Sequence, residues 1–263
     1  TVGRGWSSPV VTGGKIFYTA VANEGETEAA KKGLYFGGDR NRPPTGVHHW
    51  NVVCRDLQTG KLIWLREVHK GNPTAPVHIK NSFASSTPVT DGKYLYVSFG
   101  HQGTYCFDLA GKTVWSQDGV AAKMRNDWGT AASPVLHGDR LIIVDDNEQQ
   151  SRLQMLDKTT GNLIWEVKRD ENSNWSTPFV WENSLRTEII VPGTGANRAY
   201  DLQGELLYQF SGNSSITIAT AYAENDLLYV SSGYVLDSRK PLFAIRPGAT
   251  GDITLKADQT SND

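Results

Sequence analysis

One pattern recurs through this chain and restricts it more than any other: an apolar stretch, an Asp, a short turn ending in Gly, then an aromatic four residues on. Cys54-Arg55-Asp56-Leu57-Gln58-Thr59-Gly60 leads to Trp64, and Cys106-Phe107-Asp108-Leu109-Ala110-Gly111 leads to Trp115. Met155-Leu156-Asp157-Lys158-Thr159-Thr160-Gly161 leads to Trp165, and Ala199-Tyr200-Asp201-Leu202-Gln203-Gly204 leads to Tyr208. A decayed fifth copy runs from Arg246 to Gly251 with Leu255. The glycines fall about 45–50 residues apart, the spacing of stacked structural repeats. A second marker precedes each turn: Ser8-Pro9-Val10, Thr87-Pro88-Val89, Ser133-Pro134-Val135 and Thr177-Pro178-Phe179, with Thr220-Ala221-Tyr222 as a fifth version without proline.

Alternating stretches such as Tyr94-Leu95-Tyr96-Val97 and Leu227-Leu228-Tyr229-Val230 follow the second marker. No stretch keeps a 3.6-residue apolar period over three turns. Each unit therefore reads as four short strands joined by Gly, Asn and Asp turns, which is a β-propeller blade. The expected fold is all-β, a single propeller domain over 1–263, with blades at about 5–68, 83–119, 128–169, 174–212 and 216–255 and an insertion at 22–50 in the first. The repeated residues are expected to be architectural. The Asp accepts backbone hydrogen bonds, the Gly supplies a positive φ, and the aromatic wedges against the neighbouring blade.

Composition agrees. The chain has 26 Gly, 8 Trp and 10 Tyr but only 2 Met, a balance that leans towards strands. Its 26 basic and 28 acidic residues leave a net charge of −2, so no nucleic-acid partner is expected. Apolar runs such as Leu141 to Val144 are far short of the ~20 residues that span a bilayer, so no transmembrane segment is expected. The opening Thr1-Val2-Gly3 lacks an initiator Met, which points to a processed or trimmed piece. Cys54 and Cys106 are too few for a disulfide scaffold and occupy equivalent positions in successive blades, which favours free buried thiols.

The Asp-x-x-Thr-Gly-x-x-x-Trp turns of the first and third units, with shorter forms in the second and fourth, resemble the repeats of the quinoprotein (PQQ-binding-like) β-propeller family. Segments such as Gly3-Arg4-Gly5-Trp6 and Phe83-Ala84-Ser85-Ser86 are most similar to its uncharacterised planctomycete-type members. The resemblance implies a ring of seven or eight blades and export to the periplasm or cell envelope. The family holds both PQQ-dependent alcohol dehydrogenases and non-catalytic scaffolds of the BamB kind. A dehydrogenase of this type would need an Asp base beside Ca²⁺, and many add an adjacent Cys pair; this chain has no such pair. Neither PQQ nor another cofactor is expected.

The densest acidic segment is Asp145-Asp146-Asn147-Glu148, whose oxygens suit Ca²⁺. A solvated hairpin turn is the favoured interpretation. His48 and His49 should point to opposite faces of a strand and not share a metal. The 22–50 insertion begins acidic (Glu24, Glu26, Glu28), passes Lys31-Lys32 and runs through Gly37-Gly38-Asp39-Arg40-Asn41; loops of that length are commonly functional or disordered. Finally, an aromatic precedes each marker proline: Trp6, Phe83, Trp128 and Trp175. Arg4, Asn81, Arg125, Asn126 and Asn174 accompany them. These nine residues are the expected ligand site, at a channel mouth suited to a peptide or glycan. The leading expectation is a non-enzymatic binding or scaffold module with a protein or glycan partner. The alternatives are a PQQ- or metal-dependent oxidoreductase completed by residues elsewhere, and a carbohydrate-processing propeller.

Overall fold

The computed structural model describes residues 2–25, 32–33 and 42–262. Glu26, Glu28, Lys31 and Gly37 to Asn41 of the insertion lie outside the described residues. The chain is all-β, and its strands fall into sheets that follow the repeat. The first holds β1 (Val10–Thr12), β2 (Lys15–Asn23), β3 (His48–Asp56) and β4 (Leu62–Gly71). The second holds β5 (Val89–Thr90), β6 (Tyr94–Ser98), β7 (Thr104–Asp108) and β8 (Thr113–Gln117). The third holds β9 (Val135–His137), β10 (Arg140–Asp145), β11 (Ser151–Asp157) and β12 (Leu163–Arg169). The fourth begins with β13 (Phe179–Glu182), β14 (Thr187–Val191), β15 (Asn197–Tyr200) and β16 (Leu206–Phe210). The fifth holds β17 (Tyr222–Glu224), β18 (Leu227–Ser231) and β19 (Leu242–Ile245). Within each sheet these strands pair antiparallel with their sequence neighbours.

Register is conserved from sheet to sheet. One rung joins Val10, Phe17, Cys54 and Trp64 across the first sheet, and Val89, Tyr96, Cys106 and Trp115 across the second. The same rung is Val135, Ile142, Met155 and Trp165 in the third sheet, and Phe179, Ile190, Ala199 and Tyr208 in the fourth. Just after it, the third strand of all four sheets carries a β-bulge, at Cys54/Arg55, Cys106/Phe107, Met155/Leu156 and Ala199/Tyr200. A bulge at a fixed place bends each third strand into its turn in the same way.

Two latches explain the two sequence markers. The Trp64 indole N–H donates to the Leu109 carbonyl in the next sheet's turn, Trp115 to Lys158 and Trp165 to Leu202, at 3.2, 2.8 and 3.0 Å. The ring lies flat on that turn's glycine: a Cβ on Gly111, Gly161 or Gly204 would stand 2.8, 2.7 or 3.1 Å from it. The residue before each marker proline forms the second latch. Ser8 N–H donates to the Thr87 hydroxyl, Thr87 N–H to Ser133 and Ser133 N–H to Thr177. Proline has no N–H, so the residue before it makes the link.

The first strands pack in series, β1 on β5, β5 on β9, β9 on β13 and β13 on β17, and line the inside of an arc. No strand pairing joins the fifth sheet to the first among the described residues. The fifth unit also corrects the expected four-strand repeat. Arg246 stands where Asp56, Asp108, Asp157 and Asp201 each accept backbone N–H bonds, and Pro247 follows it. An arginine cannot accept those bonds, and the return turn is not made. Instead the chain crosses to the fourth sheet, where β20 (Gly251–Asp252) pairs parallel with β16, Tyr208 opposite Gly251. The insertion is narrower than expected too, because β2 runs to Asn23 and β3 starts at His48.

Candidate functional site

The segments before β1, β5, β9 and β13 reach the same end of the arc and are stitched together there. Trp6 and Ser7 N–H both donate to the Ala84 carbonyl, at 2.9 and 3.1 Å. The Asn81 amide donates to the carbonyls of Trp128 and Thr130, at 2.8 and 3.2 Å. The Trp175 indole N–H donates to the Gly129 carbonyl at 2.7 Å, and its backbone N–H to Thr217 at 3.0 Å.

The four expected aromatics separate into three settings. Trp128 and Trp175 meet at 5.7 Å between ring centroids, and Trp128 also touches His78 at 5.5 Å and Tyr234 at 6.4 Å. Met124, Ala131 and Ile216 pack behind them. Phe83 joins the core of the first two sheets, edge-on to His48 at 5.8 Å and tilted on Trp50 at 5.7 Å. Trp6 is 57% exposed. Of the accompanying polar residues, Asn126 is exposed at a φ of 53°, and Arg4 is exposed on a backbone bridge to Val21. Arg125 spans from the third lead-in to the fifth, its guanidinium donating to the Ser215 carbonyl at 2.7 Å. The amides of Asn81 and Asn174 are spent inside the wall: Asn81 as above, Asn174 on Asp146 and on the Ser176 N–H. His78 and Tyr234, which complete the aromatic cluster, escaped the sequence criteria because neither carries the repeat's spacing.

Asp146 corrects the expectation of a solvated turn. It is 4% exposed and forms a two-pronged pair with Arg169, at 2.8 and 3.0 Å. Arg169 donates onward to the Tyr200 hydroxyl at 3.0 Å. Burial pushes the Asp146 carboxyl above the usual carboxylate range, and Arg169 pulls it back. The rest of the acidic segment has other duties. Asp145 pairs with Arg152 at 3.2 Å, Asn147 accepts the N–H groups of Gln149 and Gln150, and Glu148 accepts the Ser173 N–H. With its oxygens each turned to separate partners, this donor set does not fit a calcium ion, and no group of three or more His, Cys, Asp or Glu side chains placed to hold a metal occurs among the described residues. A cavity of about 70 Å³ between the second and third sheets is lined by Asp145, Asp146, Arg152 and Asn174, with Ser98, Gln117 and Thr104.

The histidine pair divides as the strand period demands. His48 is buried with its Nδ1 on the Gly46 carbonyl, and burial lowers its pKa. His49 faces out between Glu67 and Glu24, at 2.5 and 2.8 Å. Cys54 and Cys106 are free and buried, and burial pushes the Cys106 thiol up to about 12.

Sheets packed in series through their first strands, the first four joined one to the next by an indole on a glycine turn, define a β-propeller of the quinoprotein-repeat type. A family model described as "Outer membrane protein assembly factor BamB" matches residues 18–130, 50–209 and 105–252, and the chain belongs to that family. The overlapping matches are what a repeat produces. BamB of Shewanella oneidensis is 24% identical over 139 residues, 52% of this chain and 29% of that protein. The structure of BamB from Moraxella catarrhalis gives a TM-score of 0.51 at 16% identity, covering 76% of this chain and 57% of that one. A europium-containing methanol dehydrogenase gives the same TM-score, 0.51, at 10% identity, covering 84% of this chain and 48% of that one. The chain thus spans less than a third of the curated relative and about half of each solved structure. An assembly factor and a dehydrogenase match the fold equally well, so similarity establishes architecture and function rests on the site.

Proposed function

We propose that this chain is part of a non-enzymatic binding scaffold of the bacterial cell envelope, holding a peptide or glycan at the end of the arc where the lead-in segments meet. The observation that carries this is the cluster of half-buried Trp128, Tyr234 and His78, backed by the buried Trp175 and flanked by Arg125. Aromatic faces with a guanidinium beside them orient a polar ligand in a shallow site, and Trp and Arg dominate binding energies at such surfaces. Around the wall, Asp146, Arg169, Asn81 and Asn174 are committed to one another and to the backbone, which suits a rigid platform more than proton transfer. Membership of a family described as an outer membrane assembly factor supports export and a protein partner.

The test is binding to a peptide library and a glycan array, wild type against Trp128→Ala, with folding checked by circular dichroism. Loss of at least about tenfold in affinity is expected for a central Trp. Unchanged affinity in a folded variant would move the site to another surface.

A further inference from the structure

Two residues beyond the rung that carries Trp115 or Trp165, each sheet has another rung on the same face. In the third sheet it reads Val144, Leu153 and Val167, and it closes on Ile189 and Val191 of the fourth in one apolar core. In the second sheet it reads Ser98, Thr104 and Gln117. The position four residues after the rung aromatic differs in the same sense. Arg169 follows Trp165 and crosses to the Tyr200 hydroxyl at 3.0 Å, whereas Gly119 follows Trp115. A Cβ on Gly119 would stand 2.4 Å from the His101 carbonyl oxygen, so no side chain can grow from it into the cleft. The cleft between the second and third sheets therefore keeps its cavity of about 70 Å³, several times the ~10–15 Å³ that one water needs.

The groups on that rung are buried and only partly used. Ser98 and Thr104 are 6% and 7% exposed. The Ser98 oxygen accepts the Gly100 N–H at 3.2 Å, which leaves its own proton unspent. Apart from its strand pairing, Thr104 has no hydrogen-bond partner among the described residues. Gln117 donates its amide N–H to the Gly161 carbonyl and keeps its side-chain oxygen. Across the cleft, Asp145 is answered by Arg152 and Asp146 by Arg169, and Asp118 lies at the exposed rim. What remains on offer inside is neutral: two hydroxyls and an amide oxygen, beside the apolar Ile143, Val144 and Ala132. Buried groups of that kind are normally satisfied. A vicinal diol suits them, because each of its hydroxyls both donates and accepts while its C–H edge meets the apolar side.

We propose that this cleft binds a small neutral polyol, or the diol edge of a sugar, through Ser98, Thr104 and Gln117. Both flanking sheets carry all four of their strands. None of Trp128, Tyr234, His78 and Arg125 lines the cavity, so the site stands independently of the function proposed for that cluster.

The probes are glycerol and methyl β-D-glucopyranoside, each titrated into the whole chain while NMR follows the Thr104 and Val144 signals. Saturable shifts in about the millimolar range are expected with at least one, and the tighter of the two identifies free polyol or sugar as the source of the diol. Propan-1-ol, which keeps glycerol's carbon chain and a single hydroxyl, should bind at least about tenfold more weakly. Thr104→Val should weaken binding by about tenfold or more, and Thr104→Ser, which retains the hydroxyl, should preserve it. Thr113→Val, on the exposed start of β8, should leave it unchanged. Shifts that never saturate with either probe, equal binding by propan-1-ol, or undiminished affinity in folded Thr104→Val would overturn the proposal.

Discussion

Glycines in this chain serve two separable purposes, and the turn series isolates them. Gly60 and Gly161 both sit at positive φ, 68° and 75°. A Cβ on Gly60 would meet nothing within 4 Å, whereas one on Gly161 would stand 2.7 Å from the Trp115 ring. Gly60→Ala should therefore cost about 1–2 kcal/mol, the strain of a left-handed L-residue alone. Gly161→Ala should cost clearly more, because the indole must also shift; denaturant melts of the two variants give the comparison. His49 offers a second residue-scale test. Its bond to Glu67, aided by Glu24, raises its pKa above the ordinary histidine value of 6.5. A raised pKa stabilises fully below the unfolded value and is lost as pH climbs through the folded one. Glu24 is shifted down from 4.5, chiefly by the same histidine, so its share disappears as the solution is acidified. The clamp is thus strongest between about pH 4.5 and 6.5. NMR titration should show the His49 pKa falling in Glu67→Gln.

Sheets are joined by few, repeated contacts, so each element's stability depends on its neighbours on both sides. β10 and β11 are flanked by complete sheets and contribute buried Leu141, Ile142, Leu153 and Met155. Among the described residues, β18 and β19 have a sheet on one side only and no fourth strand. Amide exchange should accordingly reveal opening of β18–β19 at lower free energy than β10–β11; equal protection would mean that the fifth sheet is held by more than its packing on the fourth. The phase of these elements is legible in the sequence, because Asp, Gly and Trp recur with the blade and Ser/Thr-Pro marks each inner strand. The pre-proline hydroxyl latch is not legible there, since its donor and acceptor lie more than 40 residues apart.

Across the whole molecule, the buried Asp146–Arg169 pair ties the third sheet to Tyr200 and Asn174 of the fourth. Asp146→Ala should cost about 3–5 kcal/mol, because it strands a fully buried guanidinium. Asp145→Ala, whose partner Arg152 is partly exposed, should cost far less, and thermal melts of the two variants decide the point. By itself, the sequence determined the all-β class, the four-strand unit, the turn residues and the rung aromatics. All are set by short-range chemistry: a carboxylate two to four residues from the N–H groups it binds, a glycine where φ must be positive, and alternation along a strand. Tertiary structure alone decided three things: that Asp146 is buried rather than solvated, that Trp128 and Trp175 pair while Phe83 joins a core and Trp6 faces solvent, and that the chain after Ile245 adds to the fourth sheet instead of finishing the fifth. In each case the deciding neighbours lie more than 20 residues away in sequence, on another strand or another repeat, and a local pattern cannot say which of them a side chain will meet.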